Sequence, residues 1–156
     1  MKFVPVSELL RPCIRQPRAV GGFDTMCLEM TQGIIDAVVA ERAPLIVMVL
    51  PGLMPPEAYA GMVATVQAEA ERADVPLALQ FDHCTTLEQV AWGVRLGASG
   101  VMIDGSALPL ERNIALTRQA VEMCHRVGVS VEAELGHVPF GEEGSAAAAP
   151  EIAFTR

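Results

Sequence analysis

The chain alternates regularly between two kinds of segment. Short apolar runs are separated by longer segments whose apolar residues recur at helical spacing. Leu45-Ile-Val-Met-Val-Leu50 is a continuous apolar run, the pattern of a strand buried on both faces. Before it, Cys27, Met30, Ile34, Ile35, Val38 and Val39 recur at helical spacing over residues 26–41. Asp24 reads as the N-cap of that helix, and Pro44 ends it. Pro55 and Pro56 suit the first turn of a second helix, with an apolar face of Tyr59, Met62, Val63, Val66, Ala70 and Ala73. Thr85-Thr-Leu-Glu88 is a capping-box pattern opening a third, with Gly97 as its stop. A fourth starts at Pro109, carries Leu110, Ile114, Val121 and Cys124, and closes at Gly128. A short leading helix is expected over 5–16, and further strands over 18–23, 76–82, 100–104 and 129–135.

About five strands with four helices between them require a parallel sheet with right-handed crossovers. The class is α/β, and the candidates are a doubly wound sheet or part of a (β/α)8 barrel. The length of 156 residues suits one domain, whereas a complete (β/α)8 barrel takes ~250 residues. The expected division is a barrel-type domain over 1–136 and a flexible or disordered tail over 137–156, where Gly141-Glu-Glu-Gly-Ser-Ala-Ala-Ala-Ala-Pro150 is rich in small residues.

Composition narrows the partners. The net charge is −8, from 11 basic and 19 acidic residues, so a phosphate-tracking surface for nucleic acid is disfavoured. A small anion held by local donors is not excluded. The longest apolar run, broken by Pro51 and Gly52, is far short of the ~18 residues of a membrane helix. No signal-like stretch is present, so a cytoplasmic protein without a membrane partner is expected. Cys13, Cys27, Cys84 and Cys124 are scattered without metal spacing, as expected of buried or half-buried thiols in a reducing compartment. Walker A, G-x-G-x-x-G and G-x-S-x-G motifs are absent.

Polar residues gather where the expected strands end. Asp82 and His83 end the third, Asp104 the fourth, and Glu132 and Glu134 the fifth. Ligands of parallel α/β folds bind at that edge. Strand alternation puts Gln80 with Asp82, Met102 with Asp104, and Ser130 with Glu132 and Glu134 on common faces. Enclosed carboxylates need a metal, a proton or a cationic partner. Asp82-His83 fits a metal-binding imidazole beside a general acid/base. It also fits a loop start in which His83 caps the next helix and the carboxylates are solvated. Cys84 adjoins the pair, His125 falls within a helix, and His137 follows the fifth strand.

Together these segments resemble the class II, zinc-dependent fructose-bisphosphate/tagatose-bisphosphate aldolases. The resemblance rests on Gly21-Gly-Phe-Asp-Thr-Met-Cys-Leu-Glu-Met30, Pro51-Gly52 and Phe81-Asp-His-Cys84. It rests further on Gly97-Ala-Ser-Gly-Val-Met-Ile-Asp-Gly-Ser106, continuing to Thr117, and on Gly128-Val-Ser-Val-Glu-Ala-Glu-Leu-Gly136. It covers roughly residues 3–143 and implies a (β/α)8 barrel, of which this chain supplies about five strands. It implies His83 as a zinc ligand, Asp82 as the catalytic carboxylate, and Asp104 and Glu134 in the inner polar shell near cation positions. Glu142 would be an acid/base glutamate on a mobile loop, and Asp24 a substrate-binding residue. The implied reaction is zinc-dependent, reversible aldol cleavage of a ketose bisphosphate to dihydroxyacetone phosphate and an aldehyde.

The sequence also departs from the family. Gln80 stands where histidine is common, and Asp24 where asparagine is common. His137-Val-Pro-Phe140 lacks the usual pair of glycines. Two further zinc-binding histidines expected from later strands are missing. The expectation is therefore a half-barrel, inactive alone, that pairs with a second copy or a partner chain over its open edge. The alternative is a non-catalytic remnant or subunit that binds a sugar phosphate or another protein.

Overall fold

The computed structural model describes residues 3–136. Five parallel strands alternate with helices: β1 (Gly21–Asp24), β2 (Leu45–Val49), β3 (Leu77–Cys84), β4 (Gly100–Ile103) and β5 (Ser130–Ala133). The helices are α1 (Val6–Leu10), followed by a 3-10 turn over Arg11–Ile14, α2 (Leu28–Glu41), α3 (Pro56–Ala70), α4 (Leu87–Leu96) and α5 (Leu110–His125). A further 3-10 turn spans Pro51–Leu53.

The strand order is β1-β2-β3-β4-β5, and this decides between the two architectures. A doubly wound sheet reverses direction at a switch point and carries helices on both faces. Here every crossover steps to the same side, so right-handed connections put α2 to α5 on one face. Val47, Val49, Leu77, Leu79, Phe81, Val101 and Ile103 face those helices and form one core with Ile35, Val66, Val90 and Ala120. Fully burying an apolar side chain of this size contributes ~1.5–3 kcal/mol. The opposite face carries Ile46 and Ala78 at its lower end, where Val6 and Leu9 of α1 cover them. Above them come Met48 and Gln80, level with Gly100 and Ser130, and one step higher Met102 and Glu132. The fold is an open arc of a (β/α)8 barrel: helices outside, a polar concave face inside.

The arc leaves two strand edges unpaired among the described residues. Phe23 of β1 is 53% exposed, and Leu110 and Leu135 beside β5 are 56% and 57% exposed, so both ends of the sheet carry exposed apolar residues.

Several local expectations are corrected. Asp24 is not a helix cap. It pairs with Met48 at the end of β1, and Thr25 N–H continues the ladder to the Met48 carbonyl at 2.9 Å. The helix therefore starts later, at Leu28, behind an extended Cys27 whose carbonyl accepts from Thr31. The capping box is shifted by one residue. Thr86 caps α4 by accepting from Gln89 N–H, and Gln89 Oε1 reaches back to Thr85 N–H. Gly97 closes that helix at φ +93°, where a side chain is strained. β3 runs two residues further than expected, and β5 stops before Glu134. Cys27 is exposed rather than half-buried, whereas Cys84 and Cys124 are buried. His125 is the last residue of α5, not an interior one. The expected tail over 137–156, with His137 and Glu142, lies outside the described residues.

Candidate metal and carboxylate site

Simple alternation along β3 would send His83 to the helix-facing side with Phe81, away from Asp82. A bulge prevents this. Phe81 pairs with Val101 and Cys84 with Ile103, so two residues of β3 oppose the single Met102 of β4. His83 takes up the extra residue with φ +46°, a left-handed conformation uncommon outside glycine. Asp82 and His83 thereby address the same site, while Cys84 drops into the core.

His83 is the hub. Its Nδ1 lies 3.0 Å from Asp104 Oδ2 and 3.6 Å from Glu134 Oε2, and its Nε2 lies 3.7 Å from Asp82 Oδ2. Each carboxylate is fixed by its own element. Asp104 N–H donates to the Cys84 carbonyl at 2.8 Å, and Asp104 Oδ1 accepts from Ser106 N–H at 2.9 Å. The chain after β5 is tied down by buried Asn113, whose Nδ2 donates to the Glu134 carbonyl at 2.8 Å.

The electrostatics follow from this packing. Burial by itself would lower the His83 pKa. The Asp104 hydrogen bond and the charges of Asp82, Asp104 and Glu134 outweigh it, so the imidazole titrates above its ordinary value. Burial by itself would raise Asp104, but hydrogen bonds from Ser106 and His83 hold it below the usual carboxylate range. Asp24 is pushed up, first by burial and then by the charge of Asp82, against a smaller opposing effect of His83. Its Oδ1 is buried without a hydrogen-bond partner among the described residues.

One ligand atom each from His83, Asp104 and Glu134 lies within 4.8 Å of the other two. One imidazole nitrogen and two carboxylate oxygens supply the three protein ligands of a catalytic zinc centre, with carboxylate in place of part of the usual histidine. The same set suits other divalent ions of intermediate hardness. The donor chemistry therefore fits a divalent cation.

The structure brings Asp82, His83, Asp104 and Glu134 together at one end of the sheet, with Asp24 close enough to interact electrostatically with Asp82 and His83. Cys84 is turned away from them into the core. Strand alternation did not reveal a second cluster beneath. Buried Gln80 donates through Nε2 to Glu132 Oε2 at 2.9 Å and to Asp82 Oδ1 at 3.3 Å. The available sequence signal was the shared parity of Gln80 and Asp82. The reach to Glu132, two strands away, depends on the register of β4.

The family model described as fructose-bisphosphate aldolase class-II matches residues 4–156. The fold is similar to the crystal structure of the YdjI aldolase from Escherichia coli K12, at 29% identity and a TM-score of 0.81, over 88% of this chain and 52% of that one. It is similar to a protein from Coccidioides immitis described as a fructose-1,6-biphosphate aldolase, at 28% identity and a TM-score of 0.79, over 89% of this chain and 49% of that one. The fold alone is shared with fructose-bisphosphate aldolase from Campylobacter jejuni, at 16% identity and a TM-score of 0.75, over 86% and 46% of the two chains. This chain thus spans about half the length of the solved structures it matches. With the strand order, the bulged Asp82-His83 pair and the carboxylates around it, these matches show that the chain belongs to the class II fructose-bisphosphate aldolase family.

Proposed function

We propose that this chain carries the divalent-metal and proton-handling part of a class II aldolase site. The proposed reaction is reversible aldol cleavage of a ketose bisphosphate to dihydroxyacetone phosphate and an aldehyde. The observation that carries the reading is His83, held by the bulge within 3.0 Å of Asp104 and 3.6 Å of Glu134. His83, Asp104 and Glu134 would hold the cation, with zinc the expected ion. Bound there, it would supply Lewis-acid polarisation of a ligand oxygen.

The remaining roles belong to the chain's own groups. Asp82 is buried at the end of β3 and takes or returns the proton at the reacting hydroxyl through Oδ2, the oxygen facing His83. Asp24 accepts a hydrogen bond from a substrate hydroxyl, which would satisfy its orphaned Oδ1. Glu142 would act as a second acid/base group from outside the described residues.

A non-catalytic reading is favoured by one observation. Only one histidine, His83, stands at the site among the described residues, where the family resemblance leads one to expect three. On that reading the chain binds a sugar phosphate, or pairs with a second copy or partner chain, without turnover.

Calorimetric titration of the metal-free chain with zinc, followed by an aldol-cleavage assay, separates the readings. Binding lost in His83→Ala supports the metal site, and cleavage by the zinc-loaded chain supports catalysis. No zinc uptake by the wild type overturns the metal site. Uptake without cleavage favours the non-catalytic reading.

A further inference from the structure

The concave face beneath the site holds a side chain with no assigned role. Gln80 is 2% exposed, and its amide nitrogen lies between two carboxylates of different strands. Both carboxylates are acceptors, and the weakly accepting Met48 Sδ lies 4.0 Å from the same nitrogen, so the amide is oriented with its nitrogen towards them. Glu132 stands on β5, two strands from β3, and neighbouring strands lie ~4.8 Å apart. Gln80 can cross that distance because its register partner on the intervening strand is Gly100. A Cβ at Gly100 would lie 3.1 Å from Gln80 Oε1 and 2.5 Å from Val6 Cγ2. The bare backbone of β4 therefore forms the channel through which the amide reaches β5. A cleft of about 510 Å³, lined in part by Val6, Met48, Gln80 and Glu132, lies alongside.

The consequence for the site is directional. Asp82 has two oxygens. Oδ1 is engaged by Gln80 at 3.3 Å, and Oδ2 is the one that faces His83 Nε2 at 3.7 Å. Fixing the first oxygen fixes where the second points. We infer that Gln80 is the positioning residue of this site. Its amide, admitted across β4 by Gly100, clamps Asp82 Oδ1 and Glu132 Oε2 and so presents Asp82 Oδ2 to the His83 side. The inference rests on the proposed reading of Asp82 as the proton-handling group. A neutral amide suits the task, because it gives both carboxylates a donor without becoming a salt-bridge partner that would compete with the cation. A glutamate of the same shape would add a third acceptor and repel both.

The test uses the full chain, metal-free and at one fixed pH, with 15N on glutamine and histidine side chains. The Gln80 NH2 pair should exchange with solvent about tenfold or more slowly than that of exposed Gln16. Asp82→Asn and Glu132→Gln should each shift one of its two proton resonances. Gln80→Leu keeps the bulk but not the donor, so it should move the His83 Nε2 resonance and leave Nδ1, which faces Asp104, in place. Gln80→His should restore it. If the leucine variant does not fold, Gln80→Asn, too short to span both carboxylates, serves instead. Exchange as fast as at Gln16, resonances indifferent to both carboxylate variants, or a leucine variant with an unmoved Nε2 overturns the inference. A purely structural role would change the melting temperature but not Nε2. Neither metal nor turnover enters this test. Failed zinc binding with a clamped Gln80 therefore removes the metal reading alone, and zinc binding with an unclamped Gln80 removes this inference alone.

Discussion

Gly93→Ala sets two physical effects against each other, and the structure decides which wins. Gly93 lies within α4 and is buried. Glycine inside a helix costs ~1 kcal/mol relative to alanine, so helix propensity alone predicts a stabilised variant. The added Cβ, however, would lie 2.8 Å from Phe81 Cγ and 3.1 Å from Phe81 Cβ and Cδ1. Carbon atoms pack at ~3.5–4.0 Å, so the overlap is at least about 0.4–0.7 Å. Phe81 has no room to retreat. It is fully buried and stands edge-on to Tyr59, with ring centroids 5.8 Å apart, and the Tyr59 hydroxyl is tied to the Pro51 carbonyl at 3.0 Å. Relief requires α4 to lift from the sheet, and overpacking of this kind costs ~1–3 kcal/mol. Net destabilisation of up to about 2 kcal/mol is expected, read by urea unfolding or as a fall in melting temperature of ~2–8 °C per kcal/mol. Phe81→Leu trims the opposing ring. The alanine should therefore cost less in the leucine background, with a coupling of about 1 kcal/mol in the double-mutant cycle. A Gly93→Ala variant more stable than the wild type, or an equal cost in both backgrounds, would refute the steric argument.

Two further outcomes are expected. With metal chelated, the raised His83 pKa contributes stability that is fully present below its unfolded value near 6.5 and is lost as pH rises through the folded value. The lowered Asp104 pKa contributes stability present above its unfolded value and lost as pH falls through the folded one. The melting-temperature advantage over His83→Asn, chosen because asparagine tolerates the φ of +46°, should thus peak between those limits and shrink above about pH 6.5; an advantage that grows steadily into alkaline pH contradicts this. Thiol titration should label exposed Cys27 fastest and Cys13 next, leaving Cys84, pushed up to about 12 chiefly by burial, and buried Cys124 unreacted until denaturant is added. Rapid labelling of four thiols in the native state would contradict the packing.

Different parts of the protein were legible at different levels. Parallel α/β character was readable from periodicity alone, because a strand buried on both faces cannot hide its apolar run and a crossover helix cannot hide its stripe. Helix starts were less legible. At Asp24 a residue with high cap propensity instead completes a strand, because pairing with Met48 outweighs the local preference. The carboxylates and His83 could be named from residue type and from their place at strand ends.

The element alternation and the residue types of the site were legible in the chain alone, because they depend on local periodicity and on side-chain type. Met30, Val39, Leu110 and Ile114, on the expected apolar helix faces, are instead exposed. Three other features arise from how the strands are paired. The sequential strand order puts the helices on one face and makes the sheet an arc of a barrel rather than a doubly wound sheet. The bulge at Asp82-His83 turns both residues to the same site, against simple alternation. The register of Gly100 lets Gln80 reach Glu132. Each depends on how one strand lies against another, and a strand's own residues do not encode its partner's register. The residues that carry chemistry were therefore visible in the chain, and their convergence appeared only once the strands were paired.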